Sequence, residues 1–332
     1  MQIIDGILAR TELTMNAMGG SELMMTRLYE SLDKELFKGY QIINSRIDQY
    51  AGLRADLHRI LILHDLPGDP ASEHLANGGH RKFHKLVFVS NWQMQQYIAY
   101  YNIPWSKCIV MKNSIVPIDQ HEKPKDIALG YWTTPHRGLS ILVPVFEKLQ
   151  EKYPDLRLEV FSSFKIYGWD HRDNDFKEIF DRAKDNSSIT LHGSVSNESL
   201  REALKGIHIL AYPSIWPETS CLTLMEAMSA KCLAVHPNYA ALYETSSGFT
   251  HMYQMQDQLH EHADVFMRTL EIAIDSYYDE DNECRLNSAK SYADFIYNHD
   301  KRMDEWKALL SSPVIKNMPI GFESEILTIK GS

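Results

Sequence analysis

Short apolar segments alternate with longer segments of helical period along most of the chain. Brief runs of β-branched and aromatic residues indicate buried strands, and apolar residues that recur every three to four positions indicate amphipathic helices. In the first series, strands are predicted at 3–8, 40–43, 59–64, 85–89 and 108–111, and helices at 22–34 and 91–101. This alternation is typical of a parallel sheet whose strands are joined by crossover helices.

A second series with the same alternation begins at residue 127. Its strands are predicted at 127–131, 156–161, 188–191, 207–212 and 232–236, and its helices at 139–152, 176–184, 198–204 and 221–230. Between the two series, residues 115–126 are polar and contain two prolines, which indicates a linker. The pattern therefore predicts an α/β protein with two doubly wound domains, at residues 1–120 and 121–298.

The composition is that of a soluble globular protein. The chain has 332 residues, of which 44% are hydrophobic and 23% are charged, and this length fits about two domains. No apolar run approaches the roughly 18 residues of a membrane span, and the N-terminus lacks the features of a signal peptide, so we expect a cytoplasmic protein. The four cysteines form no C-x-x-C pair, which favours reduced, mostly buried thiols over disulfides or a zinc site.

Charge is distributed unevenly along the chain. The net charge is -10, yet residues 1–120 carry 12 basic and 12 acidic side chains, so the excess of acid belongs to the second half. Nucleic-acid binding requires a basic face, which this balance does not favour. The more neutral first half is better suited to an anionic or membrane-associated partner.

The segment after the predicted strand 207–212 carries the best candidate chemistry. Ligands bind at the carboxyl ends of strands in doubly wound folds, and Glu218 lies there, just before a helix that Thr219 or Ser220 is predicted to cap. A helix N-terminus offers free amides and partial positive charge, which suit a diphosphate or sugar hydroxyls. The amides expected to supply this are those of Ser220, Cys221 and Leu222.

A second carboxylate follows inside the same helix. Glu226 is expected about six residues inside the helix, or roughly 9 Å along its axis at about 1.5 Å per residue. Carboxylate oxygens accept hydrogen bonds from vicinal hydroxyls, so the spacing suits a ligand with a sugar at the helix tip and a ribose beside it. Taken alone, the spacing favours an ordinary amphipathic helix with a surface carboxylate.

The residues around this pair resemble a known family. Residues 218–231, followed by 241–245, resemble the retaining glycosyltransferases of family 4, in which an E-x7-E motif opens the helix that grips the donor. The chain departs from the family at 229–231, where Ala-x-Gly is usual, and at 238–241, where glycines are usual. These departures concern the loop that closes over the donor.

The resemblance implies a fold and a domain plan. It implies the GT-B fold, in which two Rossmann-like domains face each other across a cleft, with the acceptor-side domain at 1–120 and the nucleotide-sugar donor domain at 121–298. In the family the last helix crosses back onto the first domain. The resemblance therefore implies such a helix, with Trp306, in the C-terminal part at 299–332, followed by a tail.

Two features of the first half extend the resemblance. Gly19 and Gly20 resemble the family's Gly-Gly-x-Glu loop, where missing side chains let the backbone approach donor phosphate and acceptor. His64 resembles the strand-end histidine that faces the sugar and donates to a hydroxyl or to the leaving oxygen. The alternatives are an ordinary glycine turn and a structural histidine.

A metal-free site must offset the charge of a diphosphate with cations and amides. Arg137 matches one of the two cations that the family uses. The other position carries no arginine, and Thr133, Thr134 or His136 are candidates to replace it with hydrogen bonds. For Arg137 itself, the alternative is a solvent-exposed arginine at the start of a helix.

Further strand ends resemble the segments that seat the nucleotide base in the family. These are 161–163, with Ser162, and 192–196, with Ser194 and Val195. Two other patterns point to metal. Asp173 and Asp175 form a D-x-D triplet, for which a solvated loop is favoured over a metal site. His80 and His84 have the spacing of zinc ligands, although a solvated basic surface is favoured there.

The function implied is the transfer of a sugar from a nucleoside diphosphate sugar to an acceptor hydroxyl, with retained configuration and no metal or other cofactor. The acceptor is a glycan, a lipid or a small molecule, with peripheral membrane contact open and no nucleic acid involved. Glu218 and His64 are the implied catalytic residues, and the remaining candidates are implied to bind the donor. A GT-B nucleotide-sugar epimerase and a nucleotide-sugar-binding protein without transfer activity stay open as alternatives.

Overall fold

The computed structural model describes residues 1–10, 19–47 and 52–318. These residues form two compact units. The first comprises the described residues up to 111, except 19 and 20, together with 303–318, and the second comprises 19–20 and 112–302. The chain thus leaves the first unit after residue 111 and returns to it at 303, whereas the sequence interpretation put these points at 120 and 299.

The first unit is built on a six-stranded sheet in the order β2-β1-β3-β4-β5-β6. Its strands are β1 (Gln2–Ile4), β2 (Ile7–Ala9), β3 (Tyr40–Asn44), β4 (His58–Leu63), β5 (Lys85–Phe88) and β6 (Cys108–Val110). Strands β3 to β6 are parallel; helix α1 (Gly20–Ser31) precedes β3, and helix α2 (Asn91–Tyr101) lies between β5 and β6. Short 3-10 turns at Lys34–Phe37, Pro70–Leu75, Gly79–Lys82 and Trp105–Lys107 complete the connections.

The single strand predicted at 3–8 is wrong, because the chain folds there into a two-residue hairpin. Strand β2 pairs antiparallel with β1, and the turn residues Asp5 and Gly6 have φ values of 46° and 86°. Positive φ at both central residues is the geometry of the turn that Asp-Gly favours. The Asp5 carboxylate also accepts a hydrogen bond from the Gly39 amide at 2.8 Å, which fixes the turn.

The C-terminal residues of the described chain belong to the core of the first unit. Helix α10 (His299–Ser311) carries Trp306 and Leu310, which are buried in one cluster with Ile42 and Val87. The hydroxyl of Tyr40 donates to the Leu310 carbonyl at 2.8 Å. The sequence interpretation implied this destination for Trp306.

The second unit contains a fully parallel six-stranded sheet in the order β12-β11-β10-β7-β8-β9. Its strands are β7 (Ala128–Tyr131), β8 (Arg157–Val160), β9 (Ile189–Leu191), β10 (Ile209–Ala211), β11 (Leu233–Pro237) and β12 (His251–Tyr253). Its helices are α3 (Leu139–Lys152), α4 (Lys177–Asp185), α5 (Asn197–Leu204), α6 (Leu222–Ser229), α7 (Leu242–Ser246), α8 (Leu259–Asp275) and α9 (Glu280–Ile296). Helix α11 (Pro313–Lys316) follows in the first unit.

Amphipathic periodicity explains why helices such as α3 form and pack where they do. Its buried residues recur at helical spacing and join the main core of the second unit: Leu139, Leu142, Val143, Phe146 and Leu149. The predicted bounds of α2 and α3 are confirmed, and most other predicted elements lie within two residues of the observed ones. The sequence interpretation missed α7 and the three-residue strand β12, which are too short to show a period.

The cysteines and the hydropathy of the helices add two observations. Cys221 and Cys232 are buried, but Cys284 is exposed, so the expectation of mostly buried thiols holds for only part of the set. All four are free thiols. No helix within the described ranges combines the length and the apolar character needed to cross a membrane.

Candidate functional site

Four neighbouring strands of the second sheet deliver the candidate residues to one edge. The order β10-β7-β8-β9 places the loops that follow these strands side by side, because parallel strands share their carboxyl ends. The loop after β7 carries Arg137, the loop after β8 carries Ser162, and the loop after β10 carries Glu218. The fold thus brings residues that are far apart in the chain to a single edge.

A glycine lets the loops after β7 and β10 approach each other. Gly138 ends the 3-10 turn Pro135–Arg137 with a φ of 134°. A Cβ built on it would overlap the backbone carbonyl of Pro213, so a larger residue requires the loops to separate. The Ile215 amide also donates to the Arg137 carbonyl at 3.3 Å. This close packing determines where the Arg137 side chain lies.

Arg137 and Glu218 form an ion pair. The Arg137 Nη1 and the Tyr212 hydroxyl both donate to the same oxygen of Glu218, Oε1. Glu218 is 4% exposed and Tyr212 is completely buried. The solvent-exposed Arg137 of the alternative interpretation is therefore not observed, because only 20% of its side chain remains accessible. A carboxylate buried this deeply requires such partners.

The environment of this pair shifts the pKa values of its neighbours. Burial lowers the pKa of Arg137, but the electrostatic effects of Glu218, Tyr212, Tyr167 and Cys221 together outweigh it and leave the pKa raised. Burial, followed by the charge of Glu218, raises the pKa of Tyr212 well above its ordinary value. Arg137 is therefore charged and Tyr212 is a protonated donor over the whole physiological pH range.

Helix α6 begins one residue later than a Ser220 cap requires. Its N-cap is Cys221, which makes no side-chain capping bond, so the predicted cap by Thr219 or Ser220 is wrong. The first residues with helical amides are Leu222 and the two that follow it, while the Ser220 amide precedes the helix. The three free amides expected at this helix end are therefore those of 222–224 rather than those of 220–222.

Glu226 lies on α6 about 6 Å along the axis from Leu222, at roughly 1.5 Å per residue. It is buried to 7% exposure, so the surface carboxylate of the alternative interpretation is not observed. Asn197, the first residue of α5, donates to Glu226 Oε1 at 3.1 Å. Asn197 follows the 192–196 loop directly, so this contact links Glu226 to the loop that carries Ser194 and Val195. The sequence interpretation did not single out Asn197.

Buried polar atoms without a hydrogen-bond partner are concentrated at this edge. The described residues contain fourteen such side-chain atoms, and six lie on the loops after β7, β8 and β10. The six are Trp132 Nε1, Thr134 Oγ1, His136 Nδ1, Arg137 Nε, Ser162 Oγ and Ser220 Oγ. Because buried polar groups are nearly always satisfied, a concentration of exceptions indicates a surface built to bind a polar ligand.

Aromatic rings flank these polar atoms. His136 stacks on Phe164 at 5.2 Å between ring centroids and meets the edge of Trp216 at 4.8 Å. Burial, together with the nearby charges of Arg137 and Arg172, lowers the pKa of His136 to about 4. His136 is therefore neutral near pH 7 and offers hydrogen bonds to a ligand without positive charge.

The segments predicted to seat a base also lie side by side. Ser162 is buried after β8, next to Phe161, whose ring stacks on His192 at 4.1 Å. The His192 Nε2 and Glu159 Oε2 lie 2.6 Å apart. Both segments follow adjacent strands of the second sheet, β8 and β9.

The two metal hypotheses meet different structures. Asp173 accepts hydrogen bonds from the Ser163 hydroxyl and from the Phe164 amide at 2.8 Å, so it organises a loop. His80 and His84 are buried, whereas Arg81 and Lys82 between them are exposed, so the solvated surface favoured for this segment holds for those two basic side chains and not for the histidines. His84 Nδ1 accepts from the Arg59 amide at 2.9 Å. Within the described ranges, no three His, Cys, Asp or Glu side chains converge as metal ligands would.

The remaining candidates lie at the start of α1 and after β4. Gly19 is buried and Gly20 begins α1; a Cβ on Gly20 would lie 3.0 Å from Leu222 Cδ1 within the second unit. His64 follows β4 in the first unit and is partly buried. Burial lowers the pKa of His64 to about 4, with a small opposing effect from Glu22.

Comparison with solved structures identifies the class of fold. The chain is similar to a glycosyltransferase from Rickettsia africae ESF-5, with a TM-score of 0.65, 14% identity and coverage of 94% of this chain and 85% of that one. It is also similar to HepE from Anabaena in complex with UDP-glucose, with a TM-score of 0.60, 14% identity and coverage of 77% and 72%. These are GT-B glycosyltransferases, and the chain has the GT-B fold, with two Rossmann-like domains.

A third similar structure is the pneumococcal O-GlcNAc transferase GtfA in complex with UDP and GlcNAc, with a TM-score of 0.57, 15% identity and coverage of 80% of this chain and 54% of that one. At the level of sequence, residues 119–245 match the family Glycosyl transferases group 1. The matched range contains every candidate residue of the second sheet edge. No curated protein matches the chain.

Proposed function

We propose that the protein is a glycosyltransferase that moves a sugar from a nucleoside diphosphate sugar to an acceptor hydroxyl. The observation that carries the proposal is the edge of the second sheet, where an arginine–carboxylate pair and six unpaired polar atoms lie together. The family match over residues 119–245 and the GT-B fold support it.

Each group has a role that suits its chemistry. Arg137 and the first amides of α6 would bind the diphosphate, because a cation and a helix N-terminus both favour phosphate oxygens. Glu218 would hold sugar hydroxyls, and Glu226, already turned toward the 192–196 loop by Asn197, would hold the ribose. The neutral donors Trp132 Nε1 and His136 Nδ1 would stand in for the second cation.

The finer features of the reaction are also part of the proposal. We propose family 4 chemistry with an E-x7-E motif, retained configuration, no metal and a cytoplasmic location. His64, Gly19 and Gly20 are also proposed to contact the substrates, and a glycan, a lipid or a small molecule would provide the acceptor hydroxyl. Uridine donors are the first to test, because the similar structures of HepE and GtfA contain UDP-glucose and UDP with GlcNAc.

A thermal-shift screen tests donor binding and metal dependence together. The protein is heated with UDP, GDP, ADP and their hexose forms, each with and without EDTA. A ligand that binds only the native state raises the melting temperature. We expect one nucleotide and its sugar form to shift the melting temperature equally with and without EDTA. No shift by any nucleotide contradicts the proposed function, and a shift lost in EDTA contradicts metal independence.

Replacing Glu226 by Ala tests the ribose site. Loss of two hydrogen bonds to hydroxyls is expected to weaken nucleotide binding by about tenfold, or about 1.4 kcal/mol. The matched control is Glu202→Ala, which removes an exposed carboxylate from helix α5 and is expected to leave binding unchanged. Titration calorimetry with UDP measures both. Equal affinities for the two variants contradict the assignment of Glu226.

A nucleotide-sugar-binding protein without transfer activity is the second candidate. The observation in its favour is that the charge of Arg137 is already matched by Glu218, which leaves less positive charge for a diphosphate. Nuclear magnetic resonance of the donor distinguishes the candidates. A glycosyltransferase releases free nucleotide with an acceptor or water, an epimerase isomerises the sugar with no acceptor, and a binding protein leaves the donor intact.

A further inference from the structure

Tyr212 is a strand-end residue whose hydroxyl donates a hydrogen bond to the Glu218 carboxylate. It follows β10 directly, is completely buried and donates its backbone amide to the Val235 carbonyl at 2.9 Å. Its phenol is therefore fixed by the core rather than by the loop. An aromatic residue at the end of a buried strand is ordinarily core material, so no local pattern distinguishes it from its neighbours.

The hydrogen bonds of Glu218 are asymmetric. Both Tyr212 and Arg137 donate to Oε1, while Oε2 forms no hydrogen bond with any residue in the described ranges. The main chain of Glu218 is also held, because its carbonyl accepts from the Ala241 amide at 2.9 Å. The carboxylate is thus turned with one oxygen toward the protein and the other available to a ligand.

Under the proposed function, binding of a diphosphate would disturb this arrangement. Phosphate oxygens compete with Glu218 for the guanidinium of Arg137, because both are anions and the cation is shared. A buried carboxylate that loses its cation is strongly destabilised unless another donor remains. Tyr212 is that donor, since burial and the nearby carboxylate raise its pKa and keep its proton in place.

We propose that Tyr212 is a positioning residue, which keeps Glu218 turned toward the donor sugar while Arg137 binds the diphosphate. The inference rests on the proposed function and adds a residue to it. The Tyr212 phenol is therefore expected to affect the affinity for the sugar part of the donor and not that for the nucleotide part. Arg137, in contrast, matters for both.

The variant Tyr212→Phe tests this expectation through the ratio of the affinity for UDP-glucose to the affinity for UDP. The affinities for UDP and UDP-glucose are measured by titration calorimetry, or for the best nucleotide pair of the thermal-shift screen. Removing one charge-assisted hydrogen bond is expected to weaken UDP-glucose binding by about tenfold, while UDP binding changes by less than about twofold. A general structural effect would weaken both equally.

Tyr297→Phe is the matched control. Tyr297 is a buried tyrosine of the same unit whose hydroxyl donates to the Thr245 carbonyl at 2.9 Å rather than to a carboxylate of the candidate edge. It loses a buried phenol hydroxyl in the same way, and it is expected to keep the UDP-glucose to UDP ratio of the unaltered protein. A ratio that falls in Tyr297→Phe as much as in Tyr212→Phe overturns the proposal.

A double-mutant cycle with Glu218→Gln provides a second measurement. If Tyr212 acts through Glu218, adding Tyr212→Phe to Glu218→Gln is expected to leave the affinity ratio within about twofold of that of the single Gln variant. If the two effects are fully additive, the positioning role of Tyr212 is overturned, while the proposed function is not affected. Failure of the unaltered protein to bind any nucleotide instead overturns the proposed function, so the two failures are distinguishable.

Discussion

Both units place loops at the carboxyl ends of parallel strands, but the polar groups on these loops are used differently. In the first unit, the Gln93 side chain accepts a hydrogen bond from the Val89 amide at 3.0 Å and donates to the carbonyls of Leu63 and Asp65 at 3.1 and 2.8 Å. This one side chain ties the loop after β4 to the loop after β5. In the second unit, the corresponding loops retain six unpaired polar atoms.

The difference indicates that polar groups of the first edge are hydrogen-bonded within the protein, whereas those of the second edge remain available to a ligand. In the described part of the first unit, four unpaired atoms follow strands β3 and β4, on Asn44, Ser45, His74 and His80, and of these only Asn44 and Ser45 lie at or directly after the end of a strand. Internal hydrogen bonds stabilise an edge at the expense of its binding capacity, because a satisfied group gains little from a ligand. The second edge keeps donors and acceptors available and protects its buried Glu218 carboxylate with Arg137 and Tyr212.

The largest expected effect comes from breaking the ion pair of the second edge. Replacing Arg137 by Met leaves the Glu218 carboxylate without its cation, which is expected to cost about 3 kcal/mol of stability. The same change is expected to weaken nucleotide binding by about a hundredfold, because a charge-assisted contact to phosphate is lost. Urea unfolding and calorimetry with UDP measure the two effects.

The control for this change is Arg182→Met. Arg182 pairs with Glu147 on an exposed face, with side-chain exposures of 51% and 29%. An exposed pair is expected to contribute about 0.5 kcal/mol and nothing to nucleotide binding. Equal losses of stability in the two variants would show that burial does not distinguish the pairs, and would contradict the expected cost of leaving Glu218 without its cation.

The second effect concerns the closed edge of the first unit. Gln93→Leu leaves an amide and two carbonyls unpaired in the core and is expected to reduce the free energy of unfolding by about 3 kcal/mol. Gln96→Leu, at an exposed position of the same helix, is expected to change it by less than about 0.5 kcal/mol. Nucleotide affinity of the folded protein should be unchanged in both, so a large loss of affinity in Gln93→Leu would break the comparison.

The smallest effect is a pH dependence. The folded-state pKa of His136, lowered to about 4, is below its unfolded value, so its contribution to stability is fully present above about pH 6.5 and is lost as the pH falls toward 4. The variant His136→Gln should therefore lose less stability than the unaltered protein between pH 6.5 and 4. Exposed His171→Gln is the control. Nucleotide affinity should vary less than about twofold from pH 6.5 to 8, since His136 stays neutral.

Sequence reasoning reached the features that depend on local patterns. The helical period of α3 and the position of Glu218 after a strand depend only on patterns within short segments of the chain, and both were predicted. The hairpin at Asp5 and Gly6 was missed although that dipeptide is a turn signal, because the apolar residues on both sides read as one strand. The late start of α6 was missed because the predicted cap relied on residue type alone.

Contacts between distant residues were beyond the reach of the pattern. Arg137 and Glu218 are separated by 81 positions, and their pairing follows from the parallel order of β7 and β10 together with the close approach at Gly138. Tyr212 and Asn197 were missed for the same reason. A tyrosine that ends a strand and an asparagine that begins a helix have ordinary structural roles until their partners are known.

The most direct test of the central claim is hydrogen–deuterium exchange with and without saturating nucleotide, using the one that gives the largest thermal shift. Exchange reports local opening of the backbone, and a bound ligand slows it in the segments that it contacts. We predict slower exchange in 132–139, 162–164, 194–198 and 214–226, with the 64–69 loop of the first unit changed less. Slowed exchange confined to segments outside these four, or none at all, would contradict the placement of the donor site at the edge of the second sheet.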